Sequence, residues 1–341
     1  MRLVTRVGGP LAAFVALGSA IAVMPAFLSG FREQQAAYVG IYTIALLGLN
    51  VLTGYTGQIS LGHGAFMAIG GYTTAILMAD HGVKDLWTIP LAALVAGGAG
   101  FLFGIPALRL SGLYLALATF AVAVATPAVI KKFEHFTGGG SGKNLFGNPE
   151  LTGSLHPVHL LGHPLSFYNW LYYLVWTIAL GGYVVIWLFL RGRTGRALRA
   201  VRDSETAAVS SGVSLARYKT LAFGVSAAYA GVGGSLFVIV TNYVNPDTFP
   251  INLSIFLLVG VVVGGLGSLL GLIAGGVLIE FLPFWAQDVS KSPGAPAVVY
   301  GVALIALMLL LPSGAAGLLR RAADGVGALA GGRYHRRSRH D

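Results

Sequence analysis

The sequence predicts an all-α polytopic membrane protein of about ten membrane segments, some short or re-entrant, with both termini cytoplasmic. Three observations carry that prediction. Hydrophobic residues make up 55% of the 341 and charged residues only 10%, a composition suited to lipid rather than water. Two uncharged runs, 34–79 and 248–279, each exceed the roughly 20 residues that one spanning helix needs, and each contains a glycine-rich break. The basic residues fall unevenly among the loops, and cytoplasmic loops are the ones enriched in Lys and Arg.

The elements follow in order. Arg2 and Arg6 precede an uncharged run from Val7 to Phe31. A secretory signal has a similar basic start but an apolar core about half as long, so this segment is expected to remain as the first span. Dividing the chain at its charges gives apolar runs at about 10–29, 36–79, 86–108, 110–130, 167–190, 220–242, 251–285 and 296–312. The second is expected to break at Gly54-Tyr55-Thr56-Gly57 and the seventh near Gly264-Gly265-Leu266-Gly267-Ser268, so each supplies two segments.

An even number of spans puts both basic ends on one side. That side then holds Arg2, Arg6, Arg109, seven basic residues between 191 and 219, and six from Arg320 to Arg339, sixteen of twenty-two in all. Arg32, Lys84, Lys131, Lys132, Lys143 and Lys291 remain outside. The richer side is read as cytoplasmic. One membrane domain is therefore expected over 1–319, interrupted by a polar cytoplasmic loop at 191–219 and followed by a basic cytoplasmic tail at 320–341. The tail's RYHRRSRH is read as a topological signal or a weak association with the lipid bilayer, not as a nucleic-acid patch. The spacings Gly260-xxx-Gly264, Gly267-xxx-Gly271-xxx-Gly275 and Gly100-xxx-Gly104 are read as close helix packing.

Several chemistries are excluded. There are no cysteines, hence no disulfide framework and no thiolate metal site. The stretch TGGGSGKNLF at 137–146 lacks the spacing of a phosphate-binding loop and is read as a flexible outer loop. His156, His159 and His163 have no adjoining carboxylate or thiol and are assigned to a solvated loop, so no metal is expected. No nucleophile-elbow or zinc-hydrolase pattern is present, and no catalytic residue is assigned. Glu280 is the acidic residue that interrupts an apolar run, near its outer end, so no ion-coupling carboxylate is evident near the bilayer centre. Uphill transport would need energy from a partner.

The stretch RGRTGRALRAVRDSETAAVSSGVSLARYK, 191–219, places nine charged residues in twenty-nine positions. Arg196, Arg199 and Arg202 recur every three residues, which predicts one helical face continuing from the preceding span, with Asp203 four residues after Arg199 as a pairing partner. Asp203 or Ser204 is then expected to cap a short helix, with Glu205 in its first turn, Ala207 and Ala208 on a small-residue face, and Gly212 as a left-handed stop. A purely topological loop is the alternative, but such a loop needs no acid-led, glycine-stopped helix.

At these residues the sequence resembles the permease subunits of ABC importers, whose cytoplasmic loop carries a Glu-Ala-Ala-xxx-Gly type motif that docks into the ATPase. Here it reads Glu205-Thr206-Ala207-Ala208-Val209-Ser210-Ser211-Gly212, with Thr206 inserted after the acid. Together with LNVLTGYTGQISLGHGAFMAIGGYTTAIL (49–77), RLSGLYLALATFA (109–121) and VVVGGLGSLLGLIAGG (261–276), the stretch is similar to the M-type permease of branched-chain amino acid importers. Residues 137–144 depart from that family's Thr-Gly-Gly-Ser-x-Gly by an extra Gly and a Lys. The resemblance implies a second permease subunit, two cytoplasmic ABC ATPases that bind ATP and Mg, an extracytoplasmic binding protein, and a bacterial inner membrane. It implies no cofactor on this chain and ATPase coupling through Asp203, Ser204, Glu205, Ala207, Ala208 and Gly212. Urea or amide import is the neighbouring substrate reading, and a passive channel or self-contained carrier the alternative of another class.

The block around the first break carries Thr53, Thr56, Gln58, Ser60 and His63 among six glycines. Irregular backbone within a membrane survives where protein or a water-filled path satisfies it. His63 is the only ionisable side chain of that run, so Thr53, Gln58, Ser60 and His63 are expected beside a substrate pathway. The competing expectation is that His63 and Ser60 only hydrogen-bond neighbouring backbone.

Overall fold

The computed structural model describes residues 18–28, 30–110, 112–146, 159–160, 163–164 and 166–289, with scattered positions between 298 and 317. Residues 1–17, most of the 296–312 run, the basic tail and His156 lie outside the described residues, as do the side chains of His159 and His163. After a short apolar helix at Gly18–Phe27, the helices described from Gly30 to Val289 are α1 (Gly30–Thr56), α2 (His63–His81), α3 (Asp85–Ala107), α4 (Leu113–Lys132), α5 (Glu134–Thr137), α6 (Phe167–Arg191), α7 (Arg193–Asp203), α8 (Glu205–Ser210), α9 (Leu215–Thr241), α10 (Ile251–Gly264) and α11 (Leu272–Val289). Five of them, α1, α3, α4, α6 and α9, are long and apolar enough to cross a bilayer. This is an all-α membrane protein. Among the described residues, two-residue strand pairs occur only in loops, at 143–144 with 243–244 and at 159–160 with 163–164.

The core is built around α1 and α9. In α1, 89% of the spanning window is buried within the chain against 22% in α4, so α1 is the hub and α4 a peripheral helix. α9 packs on α1, α2 and α3, while α6 and α11 flank α1. Small residues permit the approach, since lipid offers helices no hydrophobic drive to associate and close van der Waals contact must supply it. Gly70 lies directly against the backbone of Gly231, and a Cβ at Gly100 would sit 3.0 Å from the Phe223 carbonyl. Hydrogen bonds add specificity. The Thr74 hydroxyl donates to Ser235 Oγ at 2.6 Å, the Tyr229 hydroxyl to the Gly182 carbonyl at 2.7 Å, and Trp176 Nε1 to the Ala36 carbonyl at 3.1 Å.

Both uncharged runs break at their glycine clusters, the second where expected and the first at the last residue of the expected stretch. α1 continues through Gly54-Tyr55-Thr56, and the chain turns at Gly57 (φ 73°), where Gln58 N–H donates to the Leu52 carbonyl at 3.2 Å. That six-residue closure with a left-handed glycine is a helix stop. The second break spans 265–271, with positive φ at Gly265 and Gly267, so Gly267 and Gly271 belong to a turn and not to a helix-packing repeat. α7 also differs from expectation. Gly192 is extended (φ −75°, ψ −169°), so the arginine face starts on a new helix and does not continue α6.

The two ends of the molecule are distinct. At one, Lys143 grips both carboxylate oxygens of Asp80 at 2.6 Å, Lys131 lies 3.8 Å from Asp247, and strand 143–144 pairs with 243–244. The 137–146 loop is thereby tethered, contrary to the flexible loop expected, and Lys143, its departure from the family pattern, is the tether. At the other end the 191–219 loop meets the last turn of α1 and the 265–268 turn.

Candidate functional site

The 191–219 loop folds into two short helices. α7 buries Gly195, Ala197, Leu198 and Val201 and leaves Arg193, Arg196 and Arg199 exposed, the amphipathic division that seats a surface helix on a core. The expected Arg199–Asp203 pair is not among the ion pairs of the described residues, and Arg199 Nη2 lies 3.5 Å from the Leu190 carbonyl. Asp203 closes α7. Ser204 is the cap of α8: its extended backbone separates α8 from α7, and its hydroxyl accepts from Ala207 N–H at 3.3 Å.

α8 is six residues long and ends as the sequence predicts. Gly212 takes φ 80°, and Val213 N–H donates back to the Ala208 carbonyl at 2.9 Å. Of the alanine pair, Ala208 is buried against the rest of the chain and Ala207 faces out with Thr206, Val209 and Ser210. Glu205 does more than sit at a helix N-terminus. It pairs with Lys219 Nζ at 2.7 Å, with the lysine side chain 5% exposed and the glutamate 48%. The pair pins α8 to the first turns of α9 and leaves the Thr206, Ala207, Val209 and Ser210 face open. Lys219 went unread in the sequence because its partner lies outside any helical spacing.

The polar break forms a second site. Thr53 Oγ1 donates to the Gln58 carbonyl at 3.1 Å, and Gly62 N–H lies 3.4 Å from Ser60 Oγ. His63 Nε2 meets the Ala45 carbonyl at 2.9 Å. Ala45 lies about 16 Å above the end of α1, taking a rise of roughly 1.5 Å per residue. The 57–62 segment therefore climbs back along α1, and α2 starts part-way along it. The start of α10 meets it there, since Gly64 N–H donates to Ser254 Oγ at 2.9 Å. Thr119 of α4 covers the third side, accepting from Leu61 N–H at 2.9 Å. Thr53 at the end of α1, Gln58 and Ser60 on the irregular segment and His63 at the start of α2 are thus gathered at one break, all buried within the chain. Gln58 Oε1 has no hydrogen-bond partner among the described residues. Thr119 and Ser254 were missed because their role depends on contacts between distant segments.

No cluster of three or more His, Asp or Glu that could hold a metal occurs among the described residues. A cavity of about 280 Å³, bordered by Ile21, Arg32, Val39, Trp176, Val277 and Phe281, lies away from the polar break and is almost wholly apolar.

The family described as branched-chain amino acid transport system / permease component matches residues 32–311. The chain is 35% identical to the high-affinity branched-chain amino acid transport system permease protein LivM of Salmonella typhimurium strain LT2, over 85% of this chain and 71% of the relative. It is 33% identical to LivM of Escherichia coli K12 over the same shares. The permease protein LivH of Escherichia coli K12 is 24% identical over 81% of this chain and 91% of its own length. No solved structure matches.

Proposed function

The chain belongs to the family of branched-chain amino acid transport permease components, and from that premise we propose that it forms half of the membrane channel of an importer for branched-chain amino acids. It is a permease subunit of an ABC importer and a multi-pass membrane protein. In our reading a second permease completes the channel, two cytoplasmic ATPases bind ATP and Mg, and an extracytoplasmic binding protein delivers the substrate. The membrane is the bacterial inner membrane, spanned by ten segments with both termini inside. Asp203, Ser204, Glu205, Ala207, Ala208 and Gly212 build the coupling element.

The observation that carries this reading is α8. A six-residue helix, capped by Ser204 and stopped at Gly212, contributes little to a lipid-embedded core. Yet it is fixed on the membrane domain by Glu205–Lys219 while one face stays open. That combination suits a ball seated in a partner's cleft. The test is Gly212→Val. A β-branched residue in the left-handed region costs about 1–2 kcal/mol or redirects the exit of the chain. Expression and insertion should stay near wild type, while copurification of the ATPase and binding-protein-stimulated uptake in proteoliposomes fall together. Wild-type values for both would reduce the loop to a topological signal.

A further inference from the structure

α8 is joined through Ser204 to Arg202, the cation in the last turn of α7. Arg202 is exposed like Arg193, Arg196 and Arg199, but it also reaches another segment. Its Nη1 donates to the carbonyl of Gly54, 148 residues earlier. Gly54 lies in the last turn of α1, where carbonyls have no partner within the helix and a cation is favoured by the helix dipole. Arg202 therefore acts as a cap supplied from another part of the chain.

The same contact involves a third segment. The Tyr55 hydroxyl donates to the Gly267 carbonyl at 2.8 Å, Gly267 N–H donates to Asn50 Oδ1 at 2.9 Å, and Asn50 Nδ2 donates to the Ser268 carbonyl at 3.0 Å. A Cβ on Gly54 would lie 2.7 Å from Gly267 N, and one on Gly267 would lie 3.3 Å from Arg202 Nη1. The end of α1, the turn between α10 and α11, and the end of α7 thus meet at one point. Immediately beyond it the chain enters the 57–62 segment that leads to His63.

We propose that Arg202 is a positioning residue that transmits the movement of the coupling helix to the two broken runs, by holding the end of α1 and the 265–268 turn to the end of α7. The inference rests on the docking reading above and deepens it. Arg202 lies off the open face of α8 and reaches the 57–62 segment only at its first residue, Gly57, so its loss should leave the ATPase bound and hydrolysing while the membrane segments no longer follow. The expected result is a fall of about tenfold in substrate imported per ATP hydrolysed, within the range by which residues along a coupling network alter it. Arg202→Lys, which keeps a charged donor for the Gly54 carbonyl, should recover part of that loss.

The experiment measures uptake and binding-protein-stimulated ATP hydrolysis in the same proteoliposomes for wild type, Arg202→Ala and Arg202→Lys, with ATPase copurification as the control. A lowered ratio in Arg202→Ala with the ATPase retained, partly restored by lysine, supports the proposal. A wild-type ratio overturns it, including the case in which uptake and hydrolysis fall in parallel, since that marks a merely structural role. If Arg202→Ala does not assemble, Arg202→Gln decides on the same ratio by the same criteria. Failure of the wild-type chain to retain the ATPase would remove the docking reading and this inference with it, whereas an unchanged ratio in an assembled variant overturns the inference alone.

Discussion

Glu205 and Lys219 differ in what they lose when separated. The lysine is buried and the glutamate half-exposed, so Glu205→Gln strands an ammonium with little water, while Lys219→Met leaves a carboxylate that solvent can screen. Glu205→Gln should therefore destabilise by about 1–3 kcal/mol, below the figure for a fully buried pair because one partner is wet. Lys219→Met should cost less, and the double variant should recover most of the loss. Thermal denaturation in detergent checks the order of the three. The other residue-scale prediction concerns His63. If the 57–62 segment borders the substrate path, His63→Leu removes a buried polar group from it and should lower uptake while the ATPase still copurifies. Normal uptake over a range of substrate concentrations would instead assign the Ala45 contact to packing.

At the scale of helices, the close approach of α2 to α9 rests on Gly70 and Gly231, whose backbones touch. Any side chain at Gly70 must push a helix, since no flexible atom can give way, so Gly70→Val should cost about 1–3 kcal/mol or more and lower the yield of folded protein. A Cβ on Gly98 of α3 would meet nothing within 4 Å, and Gly98→Ala should leave yield and denaturation midpoint close to wild type. Size-exclusion yield and thermal midpoint of the two variants, side by side, check this. The contrast also explains what the sequence could disclose. Glycine clusters marked where the uncharged runs break, because few other residues serve a left-handed stop. They did not separate the glycine that turns the chain, Gly57, from Gly54, which stays helical and is small because Gly267 lies against it. The cap, first-turn acid and stop of α8 were legible because all lie within one turn or two of each other. Arg202 and Lys219 were not, since their partners are set by tertiary contact.

Across the whole molecule, charge and geometry divide the chain in the same way. Asp80, Lys131, Lys143 and Asp247 meet at one end, and every one of these positions falls outside in the arrangement that the basic residues favour. Arg202, Gly54 and Gly267 meet at the other, where that arrangement puts the cytoplasmic loop. Contacts alone fix which segments share an end; the sixteen-to-six distribution of Lys and Arg decides which end is inside. Reporter fusions at Gly140 and Ser211 should therefore report opposite sides of the membrane, with Ser211 cytoplasmic. A fusion at Gly331 should agree with Ser211, as the proposed ten segments require. Agreement between Gly140 and Ser211 would contradict the contacts at both ends. Agreement of Gly331 with Gly140, with Ser211 on the other side, would leave those contacts intact and make the number of segments after the 191–219 loop odd.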